Sequence, residues 1–162
     1  MTGFVGKMFC GLIAFGFIFS LSDARAGDSH AEYYYPQPQT REVYASPLPV
    51  RPDANKRTRI GFTVGLNSLQ QKRAYAPTYH LFSKGAHAQK LIIVATRADT
   101  YNTLYRLRAL LASLTSEARR SPIFRDALNP ENINFLDLLR LPGFEQVTVS
   151  DGDKLAHRIV IR

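Results

Sequence analysis

A group of side chains that could carry out chemistry lies near the carboxyl end of the sequence. Ser150, Asp151, Asp153 and His157 supply a hydroxyl, two carboxylates and an imidazole within eight residues. A hydroxyl beside an imidazole suits nucleophilic or general-base catalysis, and two carboxylates with an imidazole could also bind a metal ion. Asp-Gly-Asp is equally the sequence of a tight turn, whose side chains bond to their own backbone. The turn is the favoured interpretation, and Ser150, Asp151 and His157 are the catalytic candidates of the alternative.

Other signatures of catalysis do not occur in the sequence. Gly61 and Gly65 stand four residues apart without a following Lys-Ser or Lys-Thr pair, so a phosphate-binding loop is not supported. The only cysteine, Cys10, falls in a segment that we expect to be removed. The mature chain then has no thiol nucleophile, disulfide or cysteine-based metal site. The sequence predicts no cofactor and no metal, and it favours a protein that is not an enzyme.

The elements that would position this group follow from hydrophobic periodicity. The Asp-Gly turn lies between two runs of alternating apolar residues, 146–150 and 156–162, and this arrangement predicts a β-hairpin. Residues 59–66 alternate Arg-Ile-Gly-Phe-Thr-Val-Gly-Leu, which is typical of a half-buried strand. Two further strands are predicted at 79–83 and 90–97, the second of them apolar enough to be central.

Two helices are predicted between the third strand and the hairpin. Leucines recur at steps of three and four through residues 104–114, which predicts an amphipathic helix with its cap at Asp99 or Thr100 and its end near Arg120. A shorter helix is predicted at 135–141. The expected fold is therefore α+β: a mainly antiparallel five-stranded sheet in the order β-β-β-α-α-β-β, with two helices packed on one face.

A segment of different composition, residues 27–58, precedes the predicted domain at 59–162. Its five prolines exclude a helix and a central strand, so we expect an extended arm. Tyrosine combines a large apolar ring with a polar tip, and four of them suit a docking strip for a partner. A tail whose rings pack back onto the domain is the favoured interpretation of the same four tyrosines. The four candidate partner-binding residues are Tyr33, Tyr34, Tyr35 and Tyr44.

Residues 1–26 predict a cleavable export signal. Lys7 is followed by an apolar run at 8–21, and Ala24 and Ala26 are the small residues that a signal peptidase reads. The run is shorter than the about 20 apolar residues that cross a membrane. We expect cleavage after Ala26, release into the periplasm and no membrane span in the mature chain.

The net charge of the mature chain indicates which partners it would attract. The 21 basic and 13 acidic residues of the whole chain fall to 19 and 12 when Lys7, Arg25 and Asp23 leave with the signal, a net charge of +7. A basic protein favours anionic surfaces and acidic proteins. Export makes nucleic acid an unexpected partner, so we expect another envelope protein or an anionic surface.

Five segments of the mature chain carry a resemblance to known proteins. They are Tyr33-Tyr-Tyr-Pro-Gln-Pro, Lys90-Leu-Ile-Ile-Val-Ala, Thr103-Leu-Tyr-Arg-Leu-Arg-Ala-Leu-Leu, Phe135-Leu-Asp-Leu-Leu and Val147-Thr-Val-Ser-Asp-Gly-Asp. In these segments the chain resembles small exported proteins of Gram-negative bacteria that have no assigned role. Some of them carry the label "molybdopterin-guanine dinucleotide biosynthesis protein A". The guanylyltransferase of that name is cytoplasmic and begins with a Gly-rich loop for the triphosphate, whereas this chain begins with an export signal. The resemblance therefore implies no catalytic residue.

Two classes of function follow from the sequence. The first is a non-enzymatic periplasmic binding or accessory module that engages a partner through the arm and a basic face. The second is a small hydrolase or metal-dependent enzyme that uses the terminal hairpin. The label of the resembling proteins adds a role in molybdopterin-guanine dinucleotide biosynthesis as a further alternative.

Overall fold

The computed structural model describes residues 36–119 and 133–162, and the chain folds there into five strands and three helices. The predicted export signal, Tyr33, Tyr34, Tyr35 and Arg120 lie outside the described residues. The elements in chain order are β1 (Thr40–Tyr44), α1 (Lys56–Gln71), β2 (Tyr79–Lys84), β3 (Lys90–Ala95), α2 (Leu104–Arg119), α3 (Phe135–Arg140), β4 (Gln146–Ser150) and β5 (Ala156–Ile161).

The five strands form one mixed sheet in the order β1-β5-β4-β3-β2. The pairs β1/β5 and β3/β4 are parallel, and the pairs β4/β5 and β2/β3 are antiparallel. The α+β class and the five-stranded sheet are confirmed, but the expected mainly antiparallel pairing is wrong. The segment between β3 and β4 contains α2 and α3, and parallel neighbours need a long crossover of this kind.

One hydrophobic core lies between the sheet and the helices. Leu91, Ile93, Val147 and Val149 supply it from the central strands, while Leu107, Leu110 and Leu114 supply it from α2. Phe62 of α1 reaches the same core, where its ring centroid lies 5.8 Å from that of Phe144 and 6.4 Å from that of Phe135. Because α1, α2 and α3 all contribute to this one cluster, three described helices cover one face of the sheet, and not two.

Residues 59–66 are helical, so the strand predicted there is wrong. Arg59, Phe62, Thr63 and Leu66 are buried along one side of α1, at the spacing of three and four that a helix requires. Asn55 starts this helix with a capping box, in which its side chain accepts a hydrogen bond from the Thr58 amide at 3.0 Å. The apparent alternation arose because the apolar residues of this stretch are divided between the buried side and the outward side of the helix.

The described part of the predicted arm contributes a strand to the sheet. Residues 40–44 pair in parallel with β5, and Gln39 adds a backbone hydrogen bond to the Ala156 oxygen at 3.1 Å. This strand lies at the sheet edge, where neighbouring prolines are tolerated. The expected element order, which has no strand in the arm, is therefore wrong, and the boundary expected at 58/59 falls inside α1.

The remaining elements lie close to their predicted positions. The terminal hairpin and the strands near residues 79–83 and 90–97 are present, and α3 covers 135–140. The helix expected from Asp99 or Thr100 begins instead at Leu104, where the Thr103 hydroxyl accepts from the Arg106 amide at 3.3 Å. Within the described residues, no helix combines the length and the apolar character that crossing a membrane requires.

Candidate functional site

The Asp151 carboxylate organises the turn of the terminal hairpin. One oxygen, Oδ1, accepts hydrogen bonds from the amides of Asp153, Lys154 and Leu155 at 2.9, 3.0 and 2.9 Å. The side chain is buried, and the Asp151 amide closes the turn by donating to the Leu155 oxygen at 3.0 Å. This carboxylate is therefore engaged by its own backbone, as the turn interpretation of Asp-Gly-Asp requires.

The sheet register separates the other two catalytic candidates of the hairpin. Ser150 pairs with Ala156, whereas His157 pairs with Val149. Because successive side chains on a strand point to opposite faces, Ser150 and His157 lie on opposite faces of the sheet. Both are buried, and the Ser150 hydroxyl accepts a hydrogen bond from the Gly152 amide at 3.0 Å. The structure does not bring these two side chains together as a nucleophile and its base.

His157 instead contacts the arm strand β1. Its Nδ1 lies 2.7 Å from the Thr40 hydroxyl, and its Nε2 lies 3.4 Å from Glu42 Oε1 without forming a hydrogen bond. Glu42 in turn pairs through Oε2 with Arg108 of α2. Thr40 and Glu42 are two positions apart on β1 and share a face. This group, which we call the Thr40–His157 cluster, joins β1, β5 and α2, and sequence separation hid it because Thr40 and His157 are 117 residues apart.

The described residues contain no group of three or more His, Cys, Asp or Glu side chains placed to hold a metal ion. Asp151 directs its carboxylate oxygen to backbone amides, and Asp153 forms only a loose pair with Lys154 at 3.9 Å. The metal-dependent interpretation of the hairpin therefore has no ligand set among these side chains.

Tyr44, one of the candidate partner-binding residues, is turned toward the protein. Its ring packs against the hydrophobic core, and its hydroxyl donates to Asp137 Oδ1 at 2.9 Å. Asn134 Nδ2 donates to the same hydroxyl at 2.5 Å, and Ser46 also donates to the Asp137 carboxylate at 2.7 Å. Burial raises the pKa of Tyr44. Tyr44 thus ties β1 to α3, as expected for a tyrosine that packs back onto its own domain.

Arg59 lies on the inward side of α1. The side chain is buried, and its Nε donates to the His87 oxygen at 2.9 Å. Its Nη1 donates to the Pro142 oxygen at 2.9 Å and, more weakly, to the Gly143 oxygen at 3.4 Å. Arg59 therefore stabilises the junction of α1 with two loops, and it is not a surface cation.

A second buried polar network joins α1, β2 and α2. The Tyr79 hydroxyl donates to the Glu117 carboxylate, and Gln70 Nε2 donates to that hydroxyl at 2.9 Å. Glu117 also pairs with Arg73 at 2.9 Å. Burial, followed by the hydrogen bond to Glu117, raises the pKa of Tyr79 far above its ordinary value. Each polar group here has a protein partner, so the network stabilises the fold.

An open depression of about 580 Å³ lies at the carboxyl end of β3, lined mainly by residues 75–78 and by His80, Thr96 and Arg97. Arg97 lies 3.6 Å from the Asp99 carboxylate, and both side chains are well exposed. Thr96 donates its hydroxyl to the Pro77 oxygen at 2.6 Å. The Arg97 cation of this lining is therefore exposed, whereas a ligand pocket usually encloses its polar groups.

The outward side of α1 carries exposed apolar residues. Ile60 is 42% exposed and Val64 is 56% exposed, and Gly61 and Gly65 lie beside them. These four residues recur at helical spacing on the side opposite the buried residues of α1. We call them the α1 outward face. A helix that covers a globular core normally shows charged residues on this side, and this face carries none.

The α1 outward face is bounded by cations at both ends. Lys56 and Arg57 precede it and Lys72 follows it, and all three are exposed. The sequence of α1 contains no Asp or Glu. Arg57 and Lys72 are 15 positions apart, which corresponds to about 22 Å along the helix axis. The face is therefore a charge-free strip between two positive ends.

The opposite face of the sheet presents one exposed apolar side chain at its β1 edge, that of Val43, which is 53% exposed. Ile92, Val94 and Thr148 point away from the helices and are 4%, 5% and 2% exposed. The centre of that face is therefore less exposed than its edge.

Comparison with known proteins identifies no relative. The chain matches no protein-family description, no curated protein and no solved structure.

Sequence reasoning missed the α1 outward face because it placed residues 59–66 in a strand. One signal was available: the Asn55 cap, which begins a 16-residue helix. Gly61 and Gly65 were considered only as parts of a phosphate-binding loop, although on a helix their spacing of four puts them on one side.

Proposed function

We propose that the mature chain is a non-enzymatic binding or accessory module of the periplasm, which engages another envelope protein. The α1 outward face carries this proposal, because a contiguous exposed apolar strip on a helix is typical of a protein–protein contact. The Asp151 carboxylate accepts three backbone hydrogen bonds, and Ser150 is separated from His157. Both observations support a non-enzymatic role, because they leave the hairpin residues without a catalytic arrangement. The export signal predicted at residues 1–26 supports the location.

The arm remains part of this proposal in a reduced form. Tyr44 is committed to Asp137 and the core, so it is left out of the partner surface. Tyr33, Tyr34 and Tyr35 stay as predicted partner contacts. Residues 36–46 belong to the fold through β1 and through the Ser46 amide, which donates to the Arg162 oxygen at 2.9 Å.

In-cell photo-crosslinking tests the proposal directly. A photo-reactive residue is placed at Val64 and, in a matched control, at Tyr105 of α2, which is 83% exposed. The proposal predicts one dominant crosslinked protein at Val64, and it predicts that this protein is not crosslinked at Tyr105. Equal, diffuse labelling at both positions would contradict a specific binding module.

The same sample gives the amino terminus of the mature chain, which should be Gly27 if the export signal is cleaved as predicted.

A second candidate function, a hydrolase, is favoured by one observation. In the Thr40–His157 cluster a hydroxyl on an exposed residue contacts a buried imidazole, and that imidazole faces the Glu42 carboxylate. The order hydroxyl, imidazole, carboxylate is that of a nucleophile activated by an adjacent base. In this form of the hydrolase hypothesis, the candidate catalytic hydroxyl belongs to Thr40, and the hairpin residues Ser150 and Asp151 are no longer candidates.

A fluorophosphonate probe distinguishes this second candidate from the first. Covalent labelling of the wild-type chain that Thr40→Val and His157→Gln both abolish would support a hydrolase. A chain that the probe does not label, and in which both substitutions lower stability only, would support a structural role for the cluster. The binding proposal predicts the second result. The label-based alternative, a role in molybdopterin-guanine dinucleotide biosynthesis, stays a prediction of the resemblance.

A further inference from the structure

Two glycines at the centre of the α1 outward face have no role in the described fold. Gly61 and Gly65 lie one helical turn apart, and no described atom beyond the adjoining backbone of α1 and the neighbouring residues lies within 4 Å of a Cβ built at either position. Glycine in a helix interior lowers the stability of the helix relative to alanine. The packing of the described residues leaves room for a side chain at both positions, so small residues there would suit a backbone that approaches from outside. Glycines four residues apart allow two helices to cross closely.

The α1 outward face carries few large side chains, which favours a helix over a lipid surface as its binding partner. A helix that lies in a membrane interface buries several large apolar side chains. Here Ile60 and Val64 are the large residues of the face, and glycines occupy the positions beside them. This flat surface suits the backbone of another helix better than it suits acyl chains.

The charges around the face argue against a second copy of the chain. An antiparallel crossing of two α1 helices would place Arg57 of one against Lys72 of the other. A parallel crossing would place Arg57 against Arg57. Like charges face each other in both cases, and no acidic residue of α1 is present to offset them. A partner helix with acidic side chains near both ends would instead form opposite-charge pairs at Arg57 and Lys72.

We infer that the α1 outward face receives a helix of another protein, in which a small or apolar stretch crosses Gly61 and Gly65. Acidic side chains on that helix, about 22 Å apart, pair with Arg57 and Lys72. This inference rests on the proposed binding function and adds the class of partner. The two helices pack against each other, with close apolar contacts at the crossing point and opposite charges paired at the ends.

The test maps the crosslinked peptide and not only the captured protein. With the photo-reactive residue at Val64, the partner peptide is identified by mass spectrometry in the wild type and in three variants. Gly61→Ile fills the crossing point, Arg57→Glu with Lys72→Glu reverses both ends, and Lys154→Glu is a matched charge control outside α1 whose side chain is 88% exposed. Thermal unfolding of each purified variant shows that it is folded.

The inference predicts a peptide from a helical segment with Asp or Glu on both sides of a small or apolar stretch. Gly61→Ile and the double charge reversal should each lower the crosslinking yield at least about tenfold, since every 1.4 kcal/mol of binding is tenfold in affinity. Lys154→Glu should leave the yield unchanged.

Several results would overturn the inference. Crosslinks to phospholipid, to a second copy of this chain or to a protein segment without acidic residues contradict the helix partner. A yield that Gly61→Ile does not reduce contradicts the crossing point. In the case of a protein segment without acidic residues, the binding function itself survives. If no protein crosslinks at Val64 or at Tyr33, Tyr34 and Tyr35, both the inference and the proposed binding function are contradicted.

Discussion

The carboxylate of Asp151 holds three consecutive backbone amides on one oxygen atom. This arrangement explains why a residue that looks catalytic in the sequence is structural in the fold. The turn needs an acceptor at this position, and an ionised carboxylate is the strongest acceptor that a side chain provides. The same reasoning leaves Asp153 without a structural task, because its side chain is 58% exposed.

Asp151→Ala should therefore destabilise the protein, while Asp153→Ala should not. Loss of the acceptor leaves three amides of the turn without their partner and should lower the free energy of unfolding by about 2–4 kcal/mol. The exposed Asp153 should change it by less than about 0.5 kcal/mol. Urea unfolding of the two variants measures the difference. Equal stability of the two variants would contradict the account of the turn.

Tyr79 gives the fold a dependence on alkaline pH. Burial and the Glu117 carboxylate raise the pKa of Tyr79 in the folded protein. An unfolded tyrosine loses its proton near pH 10, whereas the folded one keeps it. Deprotonation therefore favours the unfolded chain, so the contribution is present below about pH 10 and is lost as the pH rises further.

Urea unfolding from pH 8 to pH 11 checks this sign. Above about pH 10 the wild type should lose stability by up to about 1.4 kcal/mol per pH unit more steeply than Tyr79→Phe. The variant should begin less stable at pH 8, because Glu117 and Gln70 lose a partner, and the two curves should then converge. Parallel curves over this range would show that Tyr79 titrates alike in both states.

Residue types alone predicted part of the terminal group. Asp-Gly-Asp predicted a turn because the turn chemistry is local. The contact of His157 with Thr40 could not be predicted, since it depends on the parallel pairing of β1 with β5. A single sequence contains no signal for a pairing between strands more than 100 residues apart.

At the scale of elements, α1 shows how period-two alternation can mislead. Ile60, Phe62, Val64 and Leu66 alternate with other residues, but Phe62 and Leu66 are buried while Ile60 and Val64 are exposed. The alternation predicts a strand only if all four side chains lie on one side. An unpaired apolar outward face breaks the usual helix pattern, so the feature that carries the proposed function is also the one that caused the wrong prediction.

Gly61→Ala and Gly65→Ala should each stabilise the isolated protein. Alanine is favoured over glycine in a helix interior by about 0.5–1 kcal/mol, and the space for its Cβ is open at both positions. Thermal unfolding midpoints measure the gain. Gly143→Ala is the matched opposite case, because Gly143 has φ +83° and a Cβ there would lie 2.9 Å from Arg59 Nη1.

This comparison separates two roles of glycine. Gly143→Ala should lower the free energy of unfolding by about 1 kcal/mol or more. Gly61→Ala or Gly65→Ala that also destabilised the isolated protein would show that the outward face is used within the chain, and the docking argument would fail.

The strand β1 was not predicted, because the composition of the surrounding segment is typical of an extended arm. The prolines of residues 27–58 predicted an arm outside the domain, but the Pro-free stretch Thr40–Tyr44 contains the strand formers Thr, Val and Tyr. The helix α3 and the terminal hairpin were predicted closely because their signals are local. β1 and the parallel pairs were not, since strand order depends on contacts distant in sequence.

At the scale of the whole molecule, the fold begins well before residue 59. A chain that starts at Pro36 should unfold like the mature protein, because β1 and its contacts are kept. A chain that starts at Pro47 loses β1, the Tyr44–Asp137 bond and the Thr40–His157 bond.

The shorter chain should be less stable by at least about 3 kcal/mol, since buried polar groups lose their partners along with the strand. Urea unfolding and solubility of the two truncated chains measure this loss. Equal stability of the two chains would show that β1 is an appendage and would return it to the arm.

The described chain is a small α+β domain in which Asp151 and Tyr44 form hydrogen bonds within the fold, whereas the α1 outward face is exposed. The size of the mature chain in gently prepared cell extracts, at its natural level, tests this claim most directly. The wild type should elute as part of a larger complex, and Gly61→Ile, although folded, should elute as the free chain. A wild type that elutes alone, or a Gly61→Ile variant that stays in the complex, would contradict the account.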